Sequence, residues 1–133
     1  MDFDVIIPIY KVSPEFITRC MTSVVNQTVD TWHCWIADGT PKDHESYEPM
    51  MAALAPFLDS EKFTYLRQSG TGVSQARNEA VTKGSAPYLA TLDGDDLWYP
   101  EHLEWMVEAI EVSKDTPVAI WWAGADAELY LTS

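Results

Sequence analysis

The sequence is poor in positive charge. Eight lysines and arginines face 21 aspartates and glutamates, a formal net charge of −13 over 133 residues. Such a field repels polyanions, which excludes nucleic acid and anionic membrane surfaces as partners. Cysteine is scarce as well. Cys20 and Cys34 are the only two, each among apolar neighbours, and they read as buried free thiols in a reducing compartment rather than as a disulfide scaffold. No apolar run approaches the roughly 18 residues of a membrane span. The acidic start, Met1-Asp2-Phe3-Asp4, has no basic region and no small-residue cleavage site, so it does not read as a secretory signal. The expectation is a cytoplasmic protein with no transmembrane segment in this chain. Internal repeats, low-complexity tracts and linkers are also lacking, and the length suits a single domain over residues 1–133.

What is present is an alternation of two rhythms. Val5-Ile6-Ile7-Pro8-Ile9 is short and β-branched, as a buried strand should be. Ser13-Pro14-Glu15 reads as an N-cap, a proline at the first helical position and an acid in the first turn. Phe16, Ile17, Cys20, Met21, Val24 and Val25 follow at helical spacing. The spacing predicts a strand over 31–38, a helix around 45–58 disturbed by Pro56, a strand over 62–68, a loop at Ser69-Gly70-Thr71-Gly72 and a helix over 74–83. It then predicts a strand over 88–92, a helix opened by Pro100, and a fifth strand over 118–122. That order implies an α/β fold, a Rossmann-like mostly parallel sheet with helices on both faces.

Open parallel sheets bind ligands at the carboxyl ends of their strands. Pro8-Ile9-Tyr10, Asp38-Gly39-Thr40 and Asp93-Gly94-Asp95-Asp96 all fall at such ends. Arg77 is placed early in the helix after the third strand, and is one of three arginines in the chain. The acidic run is the densest signal. Three carboxylates in four residues repel one another unless a cation or water relieves them. Hard oxygen ligands in a short, glycine-containing turn suit Mg²⁺ or Mn²⁺. The plainer reading is a turn that caps the next helix; the position at a strand's carboxyl end favours metal.

Other motifs fail on their own terms. A calcium loop starting at Asp93 has Leu97 at a ligand position and Trp98 where glycine is required. Gly70-Thr71-Gly72 lacks the third glycine of a dinucleotide fingerprint, and the chain has no Gly-Lys-Ser/Thr phosphate loop. The acidic run is similar to the Asp-x-Asp loop of haloacid-dehalogenase-type phosphatases, but their Gly-Thr continuation is replaced by Asp96-Leu97. His33, His44 and His102 show no metal-ligand spacing.

Six segments in register carry a family resemblance. They are Val5 to Tyr10, Ser23-Val24-Val25-Asn26-Gln27-Thr28, Asp38-Gly39-Thr40, Ala76-Arg77-Asn78, Lys83-Gly84 and Leu92 to Pro100. Together they resemble the nucleotide-binding half of family-2 glycosyltransferases with the GT-A fold. The resemblance implies a nucleoside-diphosphate sugar donor, a divalent cation (Mn²⁺ or Mg²⁺), transfer with inversion, and a glycan or lipid-linked acceptor in cell-surface glycan or polysaccharide synthesis. By position, Pro8, Ile9 and Tyr10 would line the nucleoside site and Asp38 would contact the base. Arg77 would lie near the nucleotide, Asp93 and Gly94 would meet the ribose or sugar, and Asp95, with Asp93, would hold the metal. The cation would also let an acidic pocket accept an anionic ligand.

Three departures qualify the resemblance. Ala37 stands where the family often has a first acid, and Lys11 where it often has an asparagine. The family's general base comes from well after the metal motif, and neither Asp126 nor Glu128 matches it. No catalytic residue is therefore assigned. The expectation is a donor-binding part of a larger transferase, binding nucleotide with weak or absent transfer of its own. The rivals are a non-catalytic nucleotide-binding fragment and an Asp-x-Asp metal-dependent phosphatase. Trp121-Trp122 raises self-association through an apolar patch as a further expectation.

Overall fold

β-branched and aromatic runs become strands where both their faces can be covered. In the computed structural model, which describes residues 3–68, 78, 82, 86–112, 120–122 and 128–131, the first such run is β1 (Phe3–Ile9). It is followed by α1 (Pro14–Val25), β2 (Trp32–Asp38), α2 (Tyr47–Leu58), β3 (Phe63–Arg67), β4 (Tyr88–Thr91), α3 (His102–Val112), β5 (Ile120–Trp122) and β6 (Glu128–Leu131). The sheet order is β3-β2-β1-β4-β6-β5. β1 pairs in parallel with both β2 and β4, and β2 in parallel with β3. The expected α/β, mostly parallel architecture is therefore the one observed. The end of the sheet departs from expectation. The fifth strand does not join β4 directly, because β6, which the sequence did not announce, lies between them and runs antiparallel to both.

α1 begins as its sequence suggests. The Ser13 hydroxyl accepts the Phe16 N–H at 3.5 Å, Pro14 occupies the first turn, and Glu15 faces the positive end of the helix dipole. Its apolar stripe, Ile17, Cys20, Met21 and Val24, is wholly buried, each large side chain contributing roughly 1.5–3 kcal/mol. Met50 and Leu54 of α2 and Leu103 and Met106 of α3 join the same cluster, over Phe3, Val5, Ile7 and Ile9 of β1. α1, α2 and α3 thus share one face of the sheet. Pro56 sits in the last turn of α2, where it shortens the hydrogen-bond ladder without breaking the helix.

The opposite face carries a smaller cluster of Ile6, Trp35, Ala37 and Leu89. Asp4 is buried there, accepting the Trp35 indole N–H at 2.9 Å and the Ala86 N–H at 3.4 Å. The helix expected over 74–83 lies outside the described residues apart from Asn78 and Thr82, which are both helical. Cys20 and Cys34 are buried and free, as expected. No helix among the described residues is long and apolar enough to cross a membrane.

Candidate functional site

The strand order sets where a site can form. From β1 the chain steps outward to β2 and β3, then returns to β4 on the other side of β1. That reversal falls at the carboxyl ends of β1 and β4, the place where open α/β sheets take ligands. The ladder between them ends at the Ile6–Thr91 pair, with the Leu92 N–H donated to the Ile6 carbonyl at 3.0 Å. Beyond that point β4 leaves the sheet. Pro8, which has no N–H for a ladder, falls just where its partner strand has gone.

The acidic run turns over the end of β1. The Asp96 N–H donates to the Asp93 carbonyl at 3.0 Å, closing a four-residue turn. Gly94 is its contact with β1. A Cβ built there would stand 2.6 Å from Ile9 Cγ2, and 3.4 Å from the Pro8 carbonyl oxygen and from Val12 Cγ2. Glycine is thus required by close approach. Carboxylate oxygens of Asp93, Asp95 and Asp96 lie within 4.8 Å of one another. Oxygens bound to one Mg²⁺ or Mn²⁺ at about 2.1 Å are separated by no more than about 4.2 Å, so small side-chain rotations bring this set onto a single ion. Asp93 and Asp95 are exposed and Asp96 half-buried, and all three present hard oxygen ligands of the right charge. The residues fit a divalent cation. Beneath the turn, the Cys20 thiol donates to the Asp93 carbonyl at 3.5 Å. Burial first, and then the carboxylates of Asp96, Asp95 and Asp93, push its ionisation far above the usual thiol range, so Cys20 is a neutral packing group.

The loop after the turn is held from α1. Gln27 is buried, and its amide donates to the Ser23 carbonyl at 3.0 Å and to the Tyr99 carbonyl at 2.7 Å. Its Oε1 accepts the Leu103 N–H at 2.9 Å, capping the first turn of α3. The Ser23 hydroxyl accepts the Trp98 N–H at 3.1 Å. The segment Ser23 to Thr28, singled out above without a role, is therefore the clamp that fixes residues 98–103. His102 stacks on Trp98 with ring centroids 4.4 Å apart, and burial lowers its pKa to about 4.

On the other flank, Ile9 pairs with Asp38 and Asp38 with Arg67. Asp38 is 0% exposed. Its Oδ1 accepts the Thr40 N–H at 2.8 Å, while Oδ2 accepts the Tyr65 hydroxyl at 2.6 Å and Arg67 Nη1 at 3.0 Å. Burial and the bond to Asp38 push the Tyr65 phenol up, and the bond to Tyr65 raises Arg67 further. Tyr10 is 49% exposed at the rim. Lys11 follows in the left-handed region at φ 54°, its N–H donated to Thr40 Oγ1 at 2.9 Å and its Nζ 4.9 Å from the Tyr10 ring centroid. Asparagine tolerates that conformation best after glycine, which explains physically why an asparagine would suit position 11.

The structure therefore brings Pro8, Ile9, Asp93, Gly94 and Asp95 together at the carboxyl edge of the sheet, with the exposed Tyr10 beside them and Asp38 one strand away. Arg77 and Asp126 lie outside the described residues. The backbone of Glu128 opens β6 opposite Thr91, closer to the acidic turn than its place in the sequence suggested. Sequence reasoning passed over Tyr65 and Arg67. Their alternation on a strand was visible, but their meeting with Asp38 depends on the register of β2 with β3.

Comparison with known proteins adds a further set of observations. The family model described as "Glycosyl transferase family 2" matches residues 4–130. The succinoglycan biosynthesis protein ExoW of Rhizobium meliloti is 31% identical over 133 residues, covering 95% of this chain and 39% of ExoW. The chain thus spans about two fifths of that relative. Among solved structures, S. aureus TarS aligns with a TM-score of 0.75 at 15% identity, covering 99% of this chain and 28% of TarS. The mannosyltransferase PcManGT from Pyrobaculum calidifontis, solved in complex with GDP-Man and Mn²⁺, aligns with a TM-score of 0.73 at 15% identity, covering 97% of this chain and 44% of its own. At these identities the two structures attest the fold.

Proposed function

The chain belongs to glycosyl transferase family 2, and from that premise we propose that it binds a nucleoside-diphosphate sugar through a divalent cation held by Asp95 and Asp93. One observation carries the reading: three carboxylates with oxygens within 4.8 Å of one another, on a glycine turn packed against the end of β1, at the reversal point of the sheet. When bound, the cation supplies the positive charge that offsets the diphosphate as it leaves. Pro8, Ile9 and Tyr10 form the wall for the nucleoside, with the Tyr10 ring as an exposed stacking face. Lys11, whose backbone is fixed by Thr40, places an ammonium beside Tyr10 and within reach of a phosphate. Arg77, which lies outside the described residues, is assigned to the nucleotide by the family resemblance alone.

The reaction is displacement of the nucleoside diphosphate in line, inverting the anomeric carbon, with a glycan or lipid-linked acceptor. Membership of a family that includes a succinoglycan biosynthesis protein supports polysaccharide or cell-surface glycan synthesis as the setting.

Calorimetric titration with UDP, GDP and dTDP, each with and without Mn²⁺, tests the site. At least one nucleotide should bind ten-fold or more tightly with metal, and Asp95→Ala should remove that gain. Equal binding with and without metal, or a parent-like Asp95→Ala, refutes the assignment. Phosphate release from simple phosphoesters would instead identify a hydrolase.

A further inference from the structure

We infer that the cleft between α1 and the loop after the acidic turn is a second ligand site, and that it takes an acidic sugar residue through Arg19 and the Trp98 indole. The site rests on its own contacts; the choice of a saccharide rests on the transferase reading above.

The cleft measures about 340 Å³, within the range of small-ligand sites. One wall is the outer face of α1, where Arg19, Thr22 and the capping Asn26 follow one another at helical spacing. The other is the loop that leaves the acidic turn, with Leu97, Trp98 and Pro100. Tyr10, Asp38, Asp93 and Asp95 do not line it. An occupant lies beside the donor site without entering it.

The polar groups of both walls are unspent. The Arg19 side chain has no hydrogen bond or ion pair among the described residues, and its guanidinium carbon lies 5.7 Å from the Phe16 ring centroid, a contact that steadies it. The Thr22 hydroxyl and the Asn26 side-chain amide are also without a partner among the described residues. Trp98 is 5% exposed and held twice, by its backbone N–H to the Ser23 hydroxyl and by its stack on His102. Its indole N–H is nevertheless buried with no partner among the described residues. A buried donor left unpaired is costly and calls for a reason. An acceptor brought by a ligand supplies one.

These groups choose their ligand. A guanidinium offers donors only, in a fork that matches a carboxylate. On a chain of net charge −13, an anion is drawn only where a free cation stands. The hydroxyl and the amide can each donate and accept, as ring hydroxyls require. Leu97 and Pro100, with the Trp98 ring, give an apolar floor for the C–H face of a pyranose. A carboxylate, hydroxyls and an apolar ring face together describe a uronic acid residue.

Heteronuclear NMR titration of the chain with methyl glucuronide, methyl glucoside and acetate tests this, with the Trp98 indole peak identified by triple-resonance assignment. The glucuronide should move that peak and bind about five-fold or more tightly than the glucoside, while acetate should leave it in place. Arg19→Gln, on the exposed face of α1, should bring the two glycosides to the same affinity. A Trp98 peak that ignores the glucuronide overturns the inference. So do equal affinities for the two glycosides in the parent, a preference that survives Arg19→Gln, or an acetate shift equal to the glucuronide's, which marks a plain anion site. UDP with Mn²⁺, titrated into the parent, reports the donor site separately. Nucleotide binding without glucuronide binding removes this inference alone, and glucuronide binding without nucleotide binding removes the nucleotide reading alone.

Discussion

Adding one methyl group at Gly94 tests the geometry on which the site depends. In Gly94→Ala the new Cβ would stand 2.6 Å from Ile9 Cγ2 and 3.4 Å from the Pro8 carbonyl oxygen. Carbons pack at about 3.5–4.0 Å, so one side must retreat by about 1 Å. Ile9 has little freedom to do so, being β-branched, buried and in register with Asp38. The exposed turn is the softer partner, so it is the acidic run that moves. Overpacking of this kind costs about 1–3 kcal/mol. If the fold bears the strain, the urea midpoint falls by about 0.5–1.5 M at a slope near 2 kcal/mol per M. If the turn lifts away instead, the midpoint holds and metal-dependent nucleotide binding weakens by about 5- to 150-fold. Urea unfolding and calorimetry on the same variant separate the two. Ile9→Ala in the Gly94→Ala background removes Cγ2 and should restore the binding that the single change loses, a coupling that a double-mutant cycle reads directly. A Gly94→Ala protein with the parent's midpoint and the parent's response to Mn²⁺ would refute the close approach itself.

Three further outcomes follow from the same structure. Lys11→Asn should raise stability by about 0.5–1 kcal/mol in urea unfolding, because asparagine accepts the left-handed backbone at lower cost than lysine; a loss of stability would show that the Lys11 side chain outweighs its backbone. Gln27→Leu should lower stability by about 2–4 kcal/mol, since it leaves the Tyr99 carbonyl and the Leu103 N–H without their buried partner, and an unchanged midpoint would remove its role as a clamp. His102, with its pKa lowered to about 4 by burial, is neutral in the fold while the unfolded chain protonates it near pH 6.5. Its contribution is therefore complete above about pH 6.5 and is lost as the pH falls toward 4, on the order of 2–3 kcal/mol. Urea midpoints between pH 7 and 4.5 should fall less steeply in His102→Phe than in the parent, and parallel slopes would reject that assignment.

Much of this architecture was legible in the residues because it rests on local rules. Ser13-Pro14-Glu15 announced α1 by its cap, and the β-branched run of β1 announced a strand covered on both faces. The acidic turn was legible because three like charges in four residues demand a reason. What was not legible depends on distance in sequence. Glu128-Leu129-Tyr130-Leu131 has no signal that separates a four-residue strand from a loop, and its place between β4 and β5 comes from pairing alone. The burial of Asp38 needed the register with β3, which decides that its carboxylate meets Tyr65 and Arg67. Gly94 looked like an ordinary turn glycine, and only the proximity of Ile9 explains it. Gln27 stood within a recognisable segment, but two of its side-chain bonds reach residues 72 and 76 positions away.

The return of the chain to the far side of β1 also bears on how the protein comes into being. Phe3 pairs with Tyr88 and Ile6 with Thr91, so the central strand gains its second neighbour only after β2 and β3 have been made. β1, α1, β2, α2 and β3 close over short separations and can associate early, whereas the β1–β4 ladder closes the longest loop and slows folding in proportion. The acidic turn rests on β1 through Gly94, and its following loop hangs from Gln27. Both supports are made early, and the turn they support arrives late. A nascent chain thus carries a finished cradle before it owns any carboxylate to set in it, and its capacity to hold a cation appears only with the last central strand.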